Sequence, residues 1–224
     1  MKKNYYIFQM DSLTLNILSV ILLLLLVGLY FLIYGSNSFI IFDINYPILI
    51  LFLIPYLILH EILHSLSYVI HGAKFKNITY GMHLEKGILC CLCKQNINKK
   101  NILFSLLSPF FIIGVFTLII GLVVNLPILV ILSMVNISGC SGDLLMFYHL
   151  VKLKNYEFSE FDDPTSFGLY TNDDLSKLKL FGLNYVGKKK KLERNDYRKI
   201  VVSKTSIILL FAFYLLMIFN LLID

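Results

Sequence analysis

The chain has 224 residues, 58% of them in the hydrophobic set, with a mean hydropathy of +0.77 and a formal charge of +6. That hydropathy excludes a soluble domain with an ordinary charged surface. The charge alone would allow a nucleic-acid partner, but the placement of the basic residues gives a simpler explanation.

A helix crossing the hydrocarbon core of a bilayer needs roughly 20 apolar residues. About five stretches reach that length with no Lys or Arg inside them: 13–34, 46–70, 102–124, 127–150 and 205–222. The first is too long for the apolar core of a signal peptide, and no small-residue cleavage site follows it, so it is expected to remain as a membrane helix. Between the second and third spans, 72–100 alternates Phe75, Ile78, Tyr80, Met82 and Leu84 with polar residues. Gly87 and a second apolar run follow, a pattern that predicts a β-hairpin. The segment 151–203 carries acidic residues between Glu157 and Asp163, the Asp162-Asp163-Pro164 breaker and a lysine run at 188–191. It is expected to be a partly ordered loop beside lipid headgroups. The predicted fold is therefore an all-α polytopic membrane protein with about five transmembrane helices and a small cytosolic β-hairpin, one integral membrane domain over 1–224.

All 20 Lys and Arg lie before span one, between spans two and three, or between Lys152 and Lys204, which with five spans is one side of the membrane. The positive-inside rule then places the N-terminus in the cytoplasm and Asp224 outside, in a multi-pass protein of the cell membrane. The expected partner of the basic segments is the lipid bilayer, and no nucleic acid is expected. Cys90, Cys91 and Cys93 would face the reducing cytosol and Cys140 lies within span four, so packing is expected rather than disulfides. The spacing of the first three is not a zinc-ribbon pattern.

Among the 14 Asp and Glu, only Glu61 and Asp143 lie deep in apolar sequence, where His60 and His64 join them. A charged group at the centre of a membrane helix costs about 2.5–3.5 kcal/mol on insertion scales, so such residues point to function and to a partner that neutralises them. His60 and His64 are four apart and project from one helix face, where two imidazoles reach one ion at about 2.0–2.1 Å. Glu61 lies beside that face, the position from which a carboxylate acts as general base on water. Catalytic zinc takes three protein ligands, and Asp143 is the best third candidate. At about 1.5 Å per residue, His60 and Asp143 lie roughly 15 and 10 Å from the cytoplasmic ends of their spans. The rivals are His71, His83 and His149, with His71 and His149 read as interfacial residues with one wet edge. The small polar run 136–143 permits close helix approach or local unwinding. Within it Asn136, seven residues before Asp143, could orient that carboxylate, bind substrate as an oxyanion donor, or hydrogen-bond between helices. Ser108-Pro109 reads as a helix start or kink in span three.

His60-Glu61-Ile62-Leu63-His64 in one membrane helix, Ser108-Pro109-Phe110 in the next and Ser141-Gly142-Asp143 in the one after resemble the putative zincin peptidase family of small bacterial membrane proteins. That family is distantly similar to the site-two proteases. The resemblance covers roughly 48–152 and leaves spans one and five outside it. It implies His60 and His64 as zinc ligands, Glu61 as catalytic acid and base, and Asp143 as third ligand. Site-two proteases carry the third ligand in a longer Asn-Pro-Asp-Gly-like motif, whereas here Gly142 precedes Asp143 and Leu144 follows it.

These residues predict an intramembrane zinc metalloprotease of the HExxH type that acts on membrane-anchored peptide or protein substrates. The hairpin at 74–88 would offer an edge to an extended substrate segment. Two other readings stay open at this point: a zinc-binding membrane regulator or chaperone without protease activity, and a small transporter lined by the buried His and carboxylate groups.

Overall fold

The computed structural model describes residues 4–35, 46–83, 88–93, 98–153, 157–158, 166–171, 173–187 and 198–200. The expected fifth span, 205–222, lies outside the described residues, as does the lysine run at 188–191.

Helix α1, Ser12–Tyr34, starts where Asp11 accepts hydrogen bonds from the Thr14 backbone (3.0 Å) and hydroxyl (2.6 Å). It buries only Tyr30. Leu24, Leu25 and Leu32 are 64%, 64% and 85% exposed, an apolar surface that water would penalise and lipid would not. Helix α2 runs over Tyr46–Ile70 and ends in a Schellman turn. Ala73 donates to the Tyr68 carbonyl and Gly72 to that of Val69, with Gly72 at φ 91°, where a Cβ would be strained.

The third apolar stretch holds more structure than its sequence suggests. It begins as α3, Lys99–Pro109, passes through a π-helical segment at Phe110–Phe116, and resumes as α4, Thr117–Val123. The fourth is broken: α5, Pro127–Gly139, and α6, Ser141–Lys152, meet at Cys140 with a bend of 43°. The break falls inside the small polar run 136–143. Among the described residues three helical stretches are long and apolar enough to cross a membrane, or four when the bent pair counts as one span. Phe52, Tyr56, Leu59 and Leu63 of α2 pack with Ile113 of the π segment and Leu129 and Leu132 of α5 to form the bundle core.

The strands form two sheets. Strand β1, Asn4–Met10, precedes α1; β2, Ile78–His83, and β3, Ile88–Cys93, follow α2. Strands β4, Glu157–Phe158, β5, Ser166–Thr171, β6, Leu183–Gly187, and β7, Arg198–Ile200, follow α6. As the alternation predicts, β2 and β3 pair antiparallel, from Ile78 opposite Cys93 to His83 opposite Ile88. Phe75 sits in a 3-10 turn ahead of the hairpin instead of within it. Strand β7 adds to β2, giving the order β3-β2-β7.

The second sheet has the order β4-β5-β1-β6 and takes three of its four strands from the segment 151–203. Tyr6 and Phe8 of β1, with Phe167 and Leu169 of β5, pack on Ile102 and Leu106 of α3 and on Met146, Leu150 and Leu153 of α6. The strand leading into α1, the first turns of α3 and the last turns of α6 thus meet in one core.

Candidate metal centre

Three of the residues singled out by sequence converge at the break between α5 and α6. His60 and His64 lie one turn apart on α2, with Nε2 atoms 3.1 Å from each other. Asp143 Oδ2 is 3.2 Å from His60 Nε2 and 3.4 Å from His64 Nε2. Asp143 sits in the first turn of α6. The break at Cys140 therefore sets the carboxylate by a helix N-terminus, whose partial positive charge suits an anion. Had spans four and two been unbroken parallel rods, that local charge would be missing at this depth.

The donor set fits a divalent ion. His64 Nδ1 is 2.8 Å from the Ser105 carbonyl, which can only accept, so the ring hydrogen sits on Nδ1 and Nε2 presents a lone pair. Ligand atoms held about 2.0–2.1 Å from one centre at tetrahedral angles lie about 3.3 Å from one another. The triangle of 3.1, 3.2 and 3.4 Å has those edges. Two imidazoles and one carboxylate, with a fourth corner left over, are the donor chemistry of catalytic zinc. Among the described residues this is the one group of three or more His, Cys, Asp or Glu side chains drawn together in that way.

The supporting contacts are as specific as the ligands. Ser105 Oγ donates back to the His64 carbonyl at 3.0 Å, and Ser108 Oγ to that of Leu63 at 3.3 Å, which pins α3 to the motif turn of α2. Asn136 is 2% exposed; its Oδ1 is 2.9 Å from His60 Nδ1 and its Nδ2 3.1 Å from the Pro109 carbonyl. It therefore lies against His60, not against the carboxylate of Asp143. One turn before His60, Tyr56 donates to the Ile113 carbonyl and meets Thr117 Oγ1 at 2.8 Å, and Thr117 meets Ser133 Oγ at 2.7 Å. This hydroxyl cluster holds the π segment between α2 and α5.

Glu61 is partly exposed, and its carboxylate faces the backbone of Cys91 on β3. Tyr80 Oη hydrogen-bonds Ser65 Oγ at 2.5 Å beside it. Burial pushes the Cys91 thiol and the Tyr80 phenol up, so neither offers an anion that would compete with Glu61. The four cysteines are buried and form no disulfide.

The rival histidines are placed elsewhere. His71 hydrogen-bonds the Ser67 carbonyl at 2.7 Å and stacks on Phe104. His149 donates to the Phe181 carbonyl at 2.8 Å and is 1% exposed, so it is a buried link between α6 and the β5–β6 connection, without the wet edge expected of it. The His83 side chain lies outside the described residues.

Residues 52–158 match the family described as "Putative zincin peptidase". The matched stretch contains His60, Glu61, His64, Ser105, Asn136 and Asp143, all the residues that build the centre. No curated protein and no solved structure matches this chain.

Sequence reasoning missed Ser105, Tyr56, Thr117 and Ser133. Tyr56 is recoverable from spacing, since 56, 60 and 64 recur every four residues along one helix face. Ser105 acts on His64 through its carbonyl, and a backbone acceptor leaves no mark in a sequence.

Proposed function

We propose that this protein is a zinc-dependent endopeptidase of the HExxH type that hydrolyses peptide bonds of membrane-associated substrates at the depth of its own apolar helices. The observation that carries this reading is the triangle of His60, His64 and Asp143 donor atoms, with Glu61 next in sequence to one of them. The family match over the same residues supports the peptidase class and the choice of zinc. The exposed leucines of α1 and the apolar lengths of α2 and α3 to α4 support a bilayer setting, with the N-terminus on the cytoplasmic side by the distribution of basic residues.

Zinc bound by such a set lowers the pKa of a water molecule towards ~7 and polarises a carbonyl. His60, His64 and Asp143 hold the site, and the fixed orientation of His64 on the Ser105 carbonyl keeps its Nε2 aimed at the shared point. Glu61 takes the proton from the attacking water on a carboxylate oxygen and returns it to the leaving amine. A peptide must leave helical form before its carbonyl can be attacked. Strand β3, the outer strand beside Glu61, is the element along which an extended segment would align. This shifts the expected edge from 74–88 to Ile88–Cys93, because β2 is covered by β3 on one side and β7 on the other.

Glu61→Gln tests the assignment. The variant is expected to hold zinc as the wild type does and to lose cleavage of a membrane-anchored reporter by several orders of magnitude. Cleavage at the wild-type rate would remove Glu61 from the reaction, and zinc bound with no cleavage by either protein would favour a non-hydrolytic regulator.

A further inference from the structure

Asn136 lies between two groups whose chemistry fixes how it must point. One neighbour, the Pro109 carbonyl, is an acceptor only, so the amide nitrogen has to be the end that faces it, at 3.1 Å. The amide oxygen is then the end 2.9 Å from His60 Nδ1. An amide oxygen also only accepts, so the His60 ring hydrogen sits on Nδ1 and Nε2 turns a lone pair towards Asp143. The orientation of Asn136 is thus inherited from a backbone carbonyl at the entrance to the π segment and passed to the tautomer of His60.

We propose that Asn136 is a positioning residue for the metal centre, setting the tautomer and ring angle of His60 as the Ser105 carbonyl sets those of His64. The proposal rests on the zinc reading above and adds a residue to it. Both imidazoles then receive the same tautomer, one from α3 and the other from α5, so the two elements that flank α2 each hold one ligand. The close approach this needs is visible at Gly114, where an added Cβ would lie 3.3 Å from Asn136 Nδ2 and 2.8 Å from Ile137 Cγ1. At 2% exposure Asn136 has no solvent to take over either hydrogen bond. Its loss would leave the His60 Nδ1–H and the Pro109 carbonyl without this partner and let the ring turn its Nε2 away. Partners of this kind behind a metal-bound histidine are worth about 10–100-fold in affinity.

The test measures zinc affinity of the purified full chain in detergent by competition with a chromophoric chelator. The absorption spectrum of the cobalt-loaded protein and the thermal stability of the metal-free protein are recorded alongside. Asn136→Leu, close in volume and unable to accept, is expected to bind zinc about 10–100-fold more weakly and to alter the cobalt spectrum. Asn136→Asp keeps an acceptor for Nδ1–H but sets its second oxygen against the Pro109 carbonyl, and is expected to bind zinc more tightly than the leucine variant and more weakly than wild type. Tyr34→Phe removes the α1 hydroxyl that donates to the Leu122 carbonyl, outside the contacts around His60, and is expected to leave zinc affinity unchanged whatever it does to stability. Zinc bound as tightly by Asn136→Leu as by wild type would overturn the proposal. So would Asn136→Asp binding no better than the leucine variant, or an equal loss in Tyr34→Phe. If the leucine variant does not fold, Asn136→Ala, which deletes the acceptor without adding an apolar branch, decides in its place: zinc bound about 10-fold or more weakly supports the proposal, and wild-type affinity overturns it. A wild-type protein that binds no zinc would remove the zinc reading itself, a result distinct from a zinc-loaded wild type indifferent to Asn136.

Discussion

Adding one methyl group at Gly114 probes how tightly the π segment is held against α5. An alanine Cβ there would lie 2.8 Å from Ile137 Cγ1, 3.3 Å from Asn136 Nδ2 and 3.6 Å from the Pro109 carbonyl. Non-bonded carbons prefer about 3.5–4.0 Å, so the helices must part by roughly 0.7 Å or more. Ile137 is 3% exposed and has little room to turn aside. Overpacking of this kind costs about 1–3 kcal/mol. A loss of about 2 kcal/mol in a chain of this size corresponds to a Tm about 4–8 °C lower. Gly28 on α1 provides the matched control, because an added Cβ meets nothing within 4 Å and the helix gains from alanine. Thermal unfolding of Gly114→Ala and Gly28→Ala in the same detergent is therefore expected to move in opposite directions, or at least to separate by several degrees. Equal Tm values for the two variants would refute the close approach of the π segment to α5.

The second sheet makes its own prediction. Phe8 is fully buried, stacks on Phe167 at 5.8 Å and meets Tyr185, so Phe8→Ala is expected to cost about 3–5 kcal/mol, read as faster hydrogen exchange in β5 and β6. Unchanged exchange would mean that the sheet does not depend on β1. The Asp11 cap predicts a pH dependence: the Thr14 hydroxyl and then the Thr14 backbone N–H hold its carboxyl below the ordinary aspartate range. A depressed folded-state value contributes stability above the unfolded value of about 3.9 and loses it as pH falls through the folded one. Asp11→Ala should accordingly narrow its stability gap from wild type as the pH is lowered below 4, measured as Tm against pH, and a gap that widens on acidification would contradict the cap.

What the sequence discloses follows from what each feature costs. The edges of 13–34 and 46–70 are legible because polar residues and glycine bound each apolar run, and they return as Ser12–Tyr34 and Tyr46–Ile70. His60, His64 and Asp143 stand out because polar groups in apolar helices need a reason, and the structure brings them together. The hairpin shows in the alternation of Ile78, Tyr80 and Met82. Strand β1 does not show, because Tyr5-Tyr6-Ile7-Phe8 is uniformly apolar and its partners β5 and β6 lie more than 150 residues away in the chain. The π segment is equally hidden: Phe110–Phe116 has the composition of an ordinary membrane helix, and only Pro109 and Gly114 hint at a change of winding. The run 136–143 announces flexibility, but its composition does not say that the bend falls at Cys140 or that Asn136 reaches His60 instead of Asp143. Side-chain chemistry is written in the sequence, whereas backbone acceptors such as the Ser105 and Pro109 carbonyls emerge only with the fold.

The most direct test of the metal centre is the zinc content of the purified protein, wild type beside His64→Ala and Asp143→Ala, each checked for retained helical structure. The account predicts one zinc per wild-type chain, little or none in His64→Ala, and a marked loss in Asp143→Ala. Full zinc occupancy in a folded Asp143→Ala protein would contradict it.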